Sequence, residues 1–373
     1  MAPKKSVQLS GVVVAETSIS SIDAERGALM YRGYDISDLA EHATYEEVAY
    51  LLLEGDLPDG DQLAAFREEL GARELPDAVV RLVDENAADA SPMEMLRTAV
   101  SALSFSDPAQ AAIDPANERR KAAALTARLP TIVARHHRRR QGLDPVDPDP
   151  SLSYAENFLT MLRGDSPTED EARAFDVAMI VHAEHEMNAS TFTARVVAGT
   201  LSDMHSAIVA ATCALKGPIH GGANELAMEL IDEIGSPERA DELVRERFEA
   251  HGKVYGFGHP VYVALDPRAA ILKKWSRAFS ADAGDPNWYA ITEAVENAVH
   301  EQKGLWANVD LYSGSLYRYL GIPDDLFTSL FECSRVAGQA AHVLEQRANN
   351  KIIRPAADYI GPEPRQYPVA SRS

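Results

Sequence analysis

Thr44-Tyr-Glu-Glu-Val-Ala-Tyr-Leu-Leu-Leu-Glu-Gly55 contains every signal that defines a short helix. Thr44 with Glu47 makes a capping box ahead of the apolar run Val48–Leu53, and Gly55 is placed to end it. The same signature recurs outward along the chain. Ser91-Pro-Met-Glu94 precedes an apolar run to Leu103, and Ser153-Tyr-Ala-Glu156 opens a helix that stops at Gly164. Ser166-Pro-Thr-Glu169 predicts one reaching the 180s, and Ser236-Pro-Glu238 and Asp285-Pro-Asn287 mark two more starts. Strand-like alternation is nearly absent. Val12–Val14 and Leu29–Tyr31 are the short candidates, expected to form a small N-terminal hairpin. The expected fold is all-α.

At 373 residues, 46% apolar and 25% charged, the chain has ample core and a prior of about two domains, which excludes a disordered or fibrous chain. The net charge of −21 repels nucleic acid and anionic membranes. Only nine of the 36 basic residues are lysine, and an acidic surface poor in lysine is a pattern of salt-adapted proteins. No apolar run approaches the roughly 20 residues that span a bilayer, and the N-terminus lacks a signal-peptide core. The expectation is a cytoplasmic protein. Cys213 and Cys333 lie far apart among helix formers and are expected to be buried, reduced thiols. The basic run Arg135–Arg140 reads either as a phosphate patch or as a helix C-terminus complementing the macrodipole.

The chemistry concentrates where glycine does. In Lys216-Gly-Pro-Ile-His220-Gly-Gly-Ala-Asn224 the glycines let backbone approach a ligand, and the helix start behind them favours a neutral, hydrogen-bond-donating His220. Tyr255-Gly256-Phe-Gly258-His259-Pro-Val-Tyr262 repeats the device, and Asp266-Pro-Arg268 follows it. An arginine near such a histidine suits a carboxylate whose neighbouring carbonyl is to be polarised. His182-Ala-Glu-His185 puts two histidines at i, i+3, but no third ligand stands at motif spacing, so no metal is expected. Asn308-Val-Asp310 offers one carboxylate as a general base. Arg335 sits on an otherwise apolar helix and demands a carboxylate partner from protein or ligand. Arg354 lies beyond that helix in a tail suited to packing on another subunit. Two histidine loops, one carboxylate and several arginines suit proton abstraction beside a carbonyl, with an enolate stabilised, on a di- or tricarboxylate.

These motifs together resemble citrate synthases of the shorter prokaryotic type, from Gly11 to Pro364. They comprise Arg32-Gly-Tyr-Asp35, His182–Ser190, Lys216–Asn224, Gly256–Tyr262 with Asp266-Pro-Arg268, Asn308-Val-Asp310 and Ile353-Arg-Pro355. The resemblance implies an acyltransferase that condenses acetyl-CoA with oxaloacetate and hydrolyses the thioester, at the entry to the tricarboxylic acid cycle. Asp310 would deprotonate the acetyl methyl, His220 would hydrogen-bond the thioester oxygen, and His259 would polarise the oxaloacetate carbonyl. His185, Arg268 and Arg335 would hold oxaloacetate, with Arg354 reaching in from the second subunit of a homodimer. It further implies a large helical domain (1–220 and 321–373), a smaller one (221–320) on the CoA side, a cleft between them that closes over substrate, and no permanently bound cofactor.

The chain also departs from that pattern. Pro260 and Val263 stand where many members carry a basic residue, leaving Lys253, with Gly256 and Gly258, as the candidate CoA contacts. Asn188–Arg195 and Asn350–Pro355 resemble 2-methylcitrate synthases, which use propionyl-CoA, whereas Asn308–Gly314 leans toward citrate synthase. A pocket discriminates one methylene by only about 1–3 kcal/mol. A rival of another class is a catalytically silent helical binding protein of the same fold.

Overall fold

The computed structural model describes residues 9, 11–71, 73–258, 261–282, 288–365 and 367. Near the N-terminus β1 (Ser20–Asp23), β2 (Ala28–Tyr31) and β3 (Tyr34–Asp35) form an antiparallel sheet in that order, with Ser20 opposite Tyr31. Leu29–Tyr31 is a strand as expected. Val12–Val14 is not: it pairs with no strand among the described residues and is exposed. Its place is taken by Ser20–Asp23, whose two serines hide it from any search for apolar alternation, and Ser20 is buried because its hydroxyl donates to Glu184 at 2.9 Å.

The rest is helical. The first group is α1 (Ile36–His42), α2 (Tyr45–Glu54), α3 (Gly60–Gly71), α4 (Asp77–Asn86), α5 (Pro92–Leu103) and α6 (Pro115–Arg140). Next come α7 (Tyr154–Arg163), α8 (Glu169–His182), α9 (Ala189–Gly199) and α10 (Met204–Leu215). Then follow α11 (Ala223–Ile234), α12 (Ala240–Glu249), α13 (Pro267–Asp282), α14 (Trp288–Lys303), α15 (Val309–Tyr319) and α16 (Phe327–Ala348).

The caps work as the sequence indicates. α2 has the reciprocal Thr44/Glu47 box and ends on Gly55 at φ +100°, the left-handed conformation glycine adopts without penalty. Ser91/Glu94 and Ser153/Glu156 box the starts of α5 and α7, and Gly164 ends α7 at φ +91°. For α8 the cap is Thr168 with Glu171 rather than Ser166 with Glu169. Two capping patterns overlap there; Pro167 keeps Ser166 extended, and Arg163 pairs with Glu171 at 2.8 Å.

α16 is the core's axis, buried along most of its length and packed on α2, α6, α8, α9 and α10. The basic end of α6 is spent within the protein: Arg135 forks onto Asp84 at 2.7 Å twice, Arg138 donates to the Asp144 carbonyl, and Arg140 meets Asp325 at 2.6 Å. Cys333 is buried, but Cys213 is exposed. The buried stripe of α10 runs through Met204, Ala207, Ile208, Ala211 and Leu215, which turns residue 213 outward. Among the described residues no helix is long and apolar enough to cross a membrane.

α11 packs on α15, α12 on α14, and α13 on α15. The loops entering α11, α13 and α15 carry the glycine-rich and polar motifs, so packing of those helices fixes where the motifs meet.

Candidate active site

A cavity of about 1280 Å³ gathers residues distant in sequence: His185, His220, Lys253, Gly256, Gly258, Arg268, Asp310 and Arg335 all line it. Two expected residues are not among them. His259 and the adjoining Pro260 lie outside the described residues. Arg354 is exposed in the segment after α16, away from the cavity lining.

Asp310 is placed by its own helix start. Asn308 caps α15 by accepting from the Asp310 N–H at 3.0 Å. The same Asn308 ties down the second glycine loop, donating from Nδ2 to the Gly258 carbonyl at 3.0 Å and from its backbone to the Gly256 carbonyl at 2.9 Å. Gly258 N–H returns to the Trp306 carbonyl at 3.0 Å. Gly256 has φ +84°, and a Cβ there would press on Leu311, so this lacing requires glycine. Burial pushes the Asp310 carboxyl up to about 7; Asp266 adds to the rise, while Arg268 and Arg335 pull against it. A carboxylate poised near neutrality is matched to proton abstraction.

His220 has its ring Nε2 3.2 Å from the Ser190 backbone N–H and 2.9 Å from Ser190 Oγ. A backbone N–H can only donate, so Nε2 is the acceptor and the neutral ring carries its proton on Nδ1. Burial holds the His220 pKa down to about 4, with the Arg335 charge adding to the effect. Desolvation and the Arg335 charge depress it, while the α9 start donates to the His220 ring and the α11 start donates from the Ala223 N–H to the His220 carbonyl at 3.2 Å.

The arginines differ. Arg268 opens α13 and is clasped by buried Asp266, from Nε at 3.0 Å and Nη2 at 2.7 Å. Arg335, 1% exposed, donates Nε–H to the His182 carbonyl at 2.5 Å and lies over the Phe331 ring at 4.6 Å. Its Nη2 is buried and has no hydrogen-bond partner among the described residues. A cation in that state has a donor left for a ligand carboxylate. His185, also buried, places Nε2 3.3 Å from the Tyr262 hydroxyl.

The histidine pair separates. α8 ends at His182, so the two do not share a helix face. His182 turns inward, with Nδ1 2.7 Å from the Ala178 carbonyl and its ring edge-on to Phe331 at 4.7 Å, while His185 reaches the cavity. Burial lowers the His182 pKa to about 3. Among the described residues no group of three or more His, Cys, Asp or Glu side chains could hold a metal ion.

Sequence reading missed Ser190, which sets the His220 tautomer, and Phe331, which backs Arg335. Ser190 lay within a quoted motif without a role; Phe331, four residues before Arg335, carried the signal of an i, i+4 helical pair.

Residues 8–356 match the family model for the citrate synthase C-terminal domain. This chain belongs to the citrate synthase family. The citrate synthase of Haloferax volcanii is 47% identical over 95% of this chain and 95% of its own. The 2-methylcitrate synthase of Shewanella oneidensis is 44% identical over 98% and 97%. Among solved structures, the ternary complex of carboxymethyl coenzyme A and oxaloacetate with the Thermoplasma acidophilum citrate synthase superposes with a TM-score of 0.92 at 34% identity, covering 98% of both chains. Membership fixes the helical fold and the class of enzyme, an acyltransferase.

Proposed function

We propose that the chain condenses acetyl-CoA with oxaloacetate and water, giving citrate and free CoA. The observation that carries this is the company Asp310 keeps: one carboxylate poised near pH 7 shares a cavity with a tautomer-locked neutral histidine and two buried arginines.

Arg268, Arg335 and His185 hold the oxaloacetate carboxylates. Asp310 removes a proton from the acyl methyl, and the charge moving onto the thioester oxygen meets Nδ1–H of His220. The enol carbon attacks the ketone of oxaloacetate, which His259 polarises in the role its motif gives it. Water then cleaves the thioester, and CoA leaves as the thiol. Lys253 and the backbone at Gly256 and Gly258 contact CoA. Enolisation, addition and hydrolysis in this scheme call for no metal and no permanently bound cofactor, the protons of the alkoxide and the thiol coming from the acids of the site and from water.

Residues 221–320 act as a smaller domain closing on 1–220 and 321–373, which keeps water out until the carbon–carbon bond has formed. The working enzyme is a cytoplasmic homodimer in which Arg354 completes the neighbouring site. A second reading, propionyl-CoA as donor to give 2-methylcitrate, is favoured by the Shewanella relative.

Thiol release with oxaloacetate plus acetyl-CoA, and separately propionyl-CoA, decides between them. Faster release with acetyl-CoA supports the first reading and faster release with propionyl-CoA the second. Silence with both rejects the acyl-transfer reading.

A further inference from the structure

One stripe of α16 grips the turn that carries His185. Arg335, Gly338 and His342 fall at i, i+3 and i+7, on one helix face. Arg335 donates to the His182 carbonyl, a Cβ at Gly338 would collide with the Ala183 carbonyl and a Glu184 carboxylate oxygen, and His342 Nε2 lies 3.0 Å from Glu184 Oε1. The helix therefore follows residues 182, 183 and 184 in register, and His185 comes next.

Hydrogen-bond direction assigns the protons. Arg195 Nη1 can only donate, and it lies 3.0 Å from His342 Nδ1. His342 is therefore neutral, with its proton on Nε2 and directed at Glu184. Arg195 is itself fixed by Glu345 at 2.7 Å and by Gln346 at 3.2 Å. Glu184 also accepts from Ser20 at 2.9 Å, and both Glu184 and His342 are fully buried. A neutral imidazole leaves the Glu184 charge uncompensated, and Arg335 is the cation that balances it. Burial alone would raise the Glu184 carboxyl; the Nε2–H of neutral His342, the Arg335 charge and the Ser20 hydroxyl outweigh it and hold it below the usual range.

We infer that Glu184 and His342 are positioning residues for oxaloacetate: His342 holds Glu184 in place, and Glu184 aims the Arg335 guanidinium and the adjoining His185 at the substrate carboxylates. This rests on the proposed reading only for the identity of the dicarboxylate.

The test is oxaloacetate binding by titration calorimetry, without acyl donor, alongside steady-state thiol release. Glu184→Gln and His342→Met should each weaken oxaloacetate binding at least tenfold and raise its KM similarly, with the KM for the acyl-CoA changed less than threefold. His342→Gln, which restores an N–H near the Nε2 position, should recover binding to within threefold of wild type. Equal changes in both KM values, or His342→Gln behaving like His342→Met, would overturn the assignment in favour of a purely structural role. Should Glu184→Gln fail to fold, the two His342 variants still decide it. A wild-type chain that releases no thiol, yet loses tenfold in oxaloacetate affinity on His342→Met, would reject acyl transfer and support this inference.

Discussion

The backbone N–H of Ser190, at the start of α9, donates to Nε2 of His220, 30 residues further along the chain, across 3.2 Å. That single bond leaves Nδ1–H as the ring's donor in the proposed reaction. An imidazole free to choose its tautomer would spend part of its time with no donor toward the thioester. His220→Ala should therefore lower kcat by about 10²–10³-fold, the usual loss when one oxyanion donor is removed. Oxaloacetate binding, read by calorimetry, should be unchanged.

The rate should titrate with Asp310. Its carboxyl, raised to about 7, works as a base only when ionised. Log kcat/KM should climb with slope one below about pH 7 and level off above it. A flat profile from pH 5.5 to 8 would place the base elsewhere.

The same shift has a cost in stability. A carboxyl titrating near 7 when folded and near 4 when unfolded leaves the folded state holding more protons between those values. Stability contributed by this group is therefore present below about pH 4 and lost as pH rises through 7. Asp310→Asn removes the penalty, so the inactive variant should melt at a higher temperature than wild type at pH 8, with the gap closing toward pH 5. Thermal melts at both pH values check this.

Arg335 holds a buried donor that has no partner among the described residues. Arg335→Met should weaken oxaloacetate binding by about 10–100-fold, the equivalent of one charged hydrogen bond at about 1.5–3 kcal/mol, and should also lower the melting temperature, because it strips buried Glu184 of its balancing cation. Circular dichroism and calorimetry on one preparation separate the two effects.

Gly338 marks where α16 meets the 183–184 turn. Gly338→Ala should lower stability by about 1–3 kcal/mol, the range for overpacking, and raise the KM for oxaloacetate in the same protein. Urea unfolding with parallel kinetics reads both.

Much of this was legible in the chain. Capping boxes at Thr44, Ser91 and Ser153 are local chemistry, so they can be read locally, and the glycine-bracketed His220 and Asn308-Val-Asp310 announced a site because permissive backbone clustered with titratable groups. What stayed hidden is whatever depends on contacts across the fold. Ser20–Asp23 pairs as a strand through a serine buried on Glu184. The desolvation and the Arg335 charge that depress the His220 pKa come from elements distant in sequence. His182 and His185 look alike at i, i+3 but part company because α8 stops between them. Arg335 was readable as a cation short of a carboxylate; that the His182 carbonyl would take its Nε–H was not.

In the proposed reaction Asp310 is the base on which every later step depends. Thiol release from oxaloacetate and the preferred acyl-CoA should be measured for Asp310→Asn beside wild type, with oxaloacetate affinity as the control. The expected result is at least a thousandfold loss in kcat with that affinity unchanged. A kcat within tenfold of wild type would contradict it.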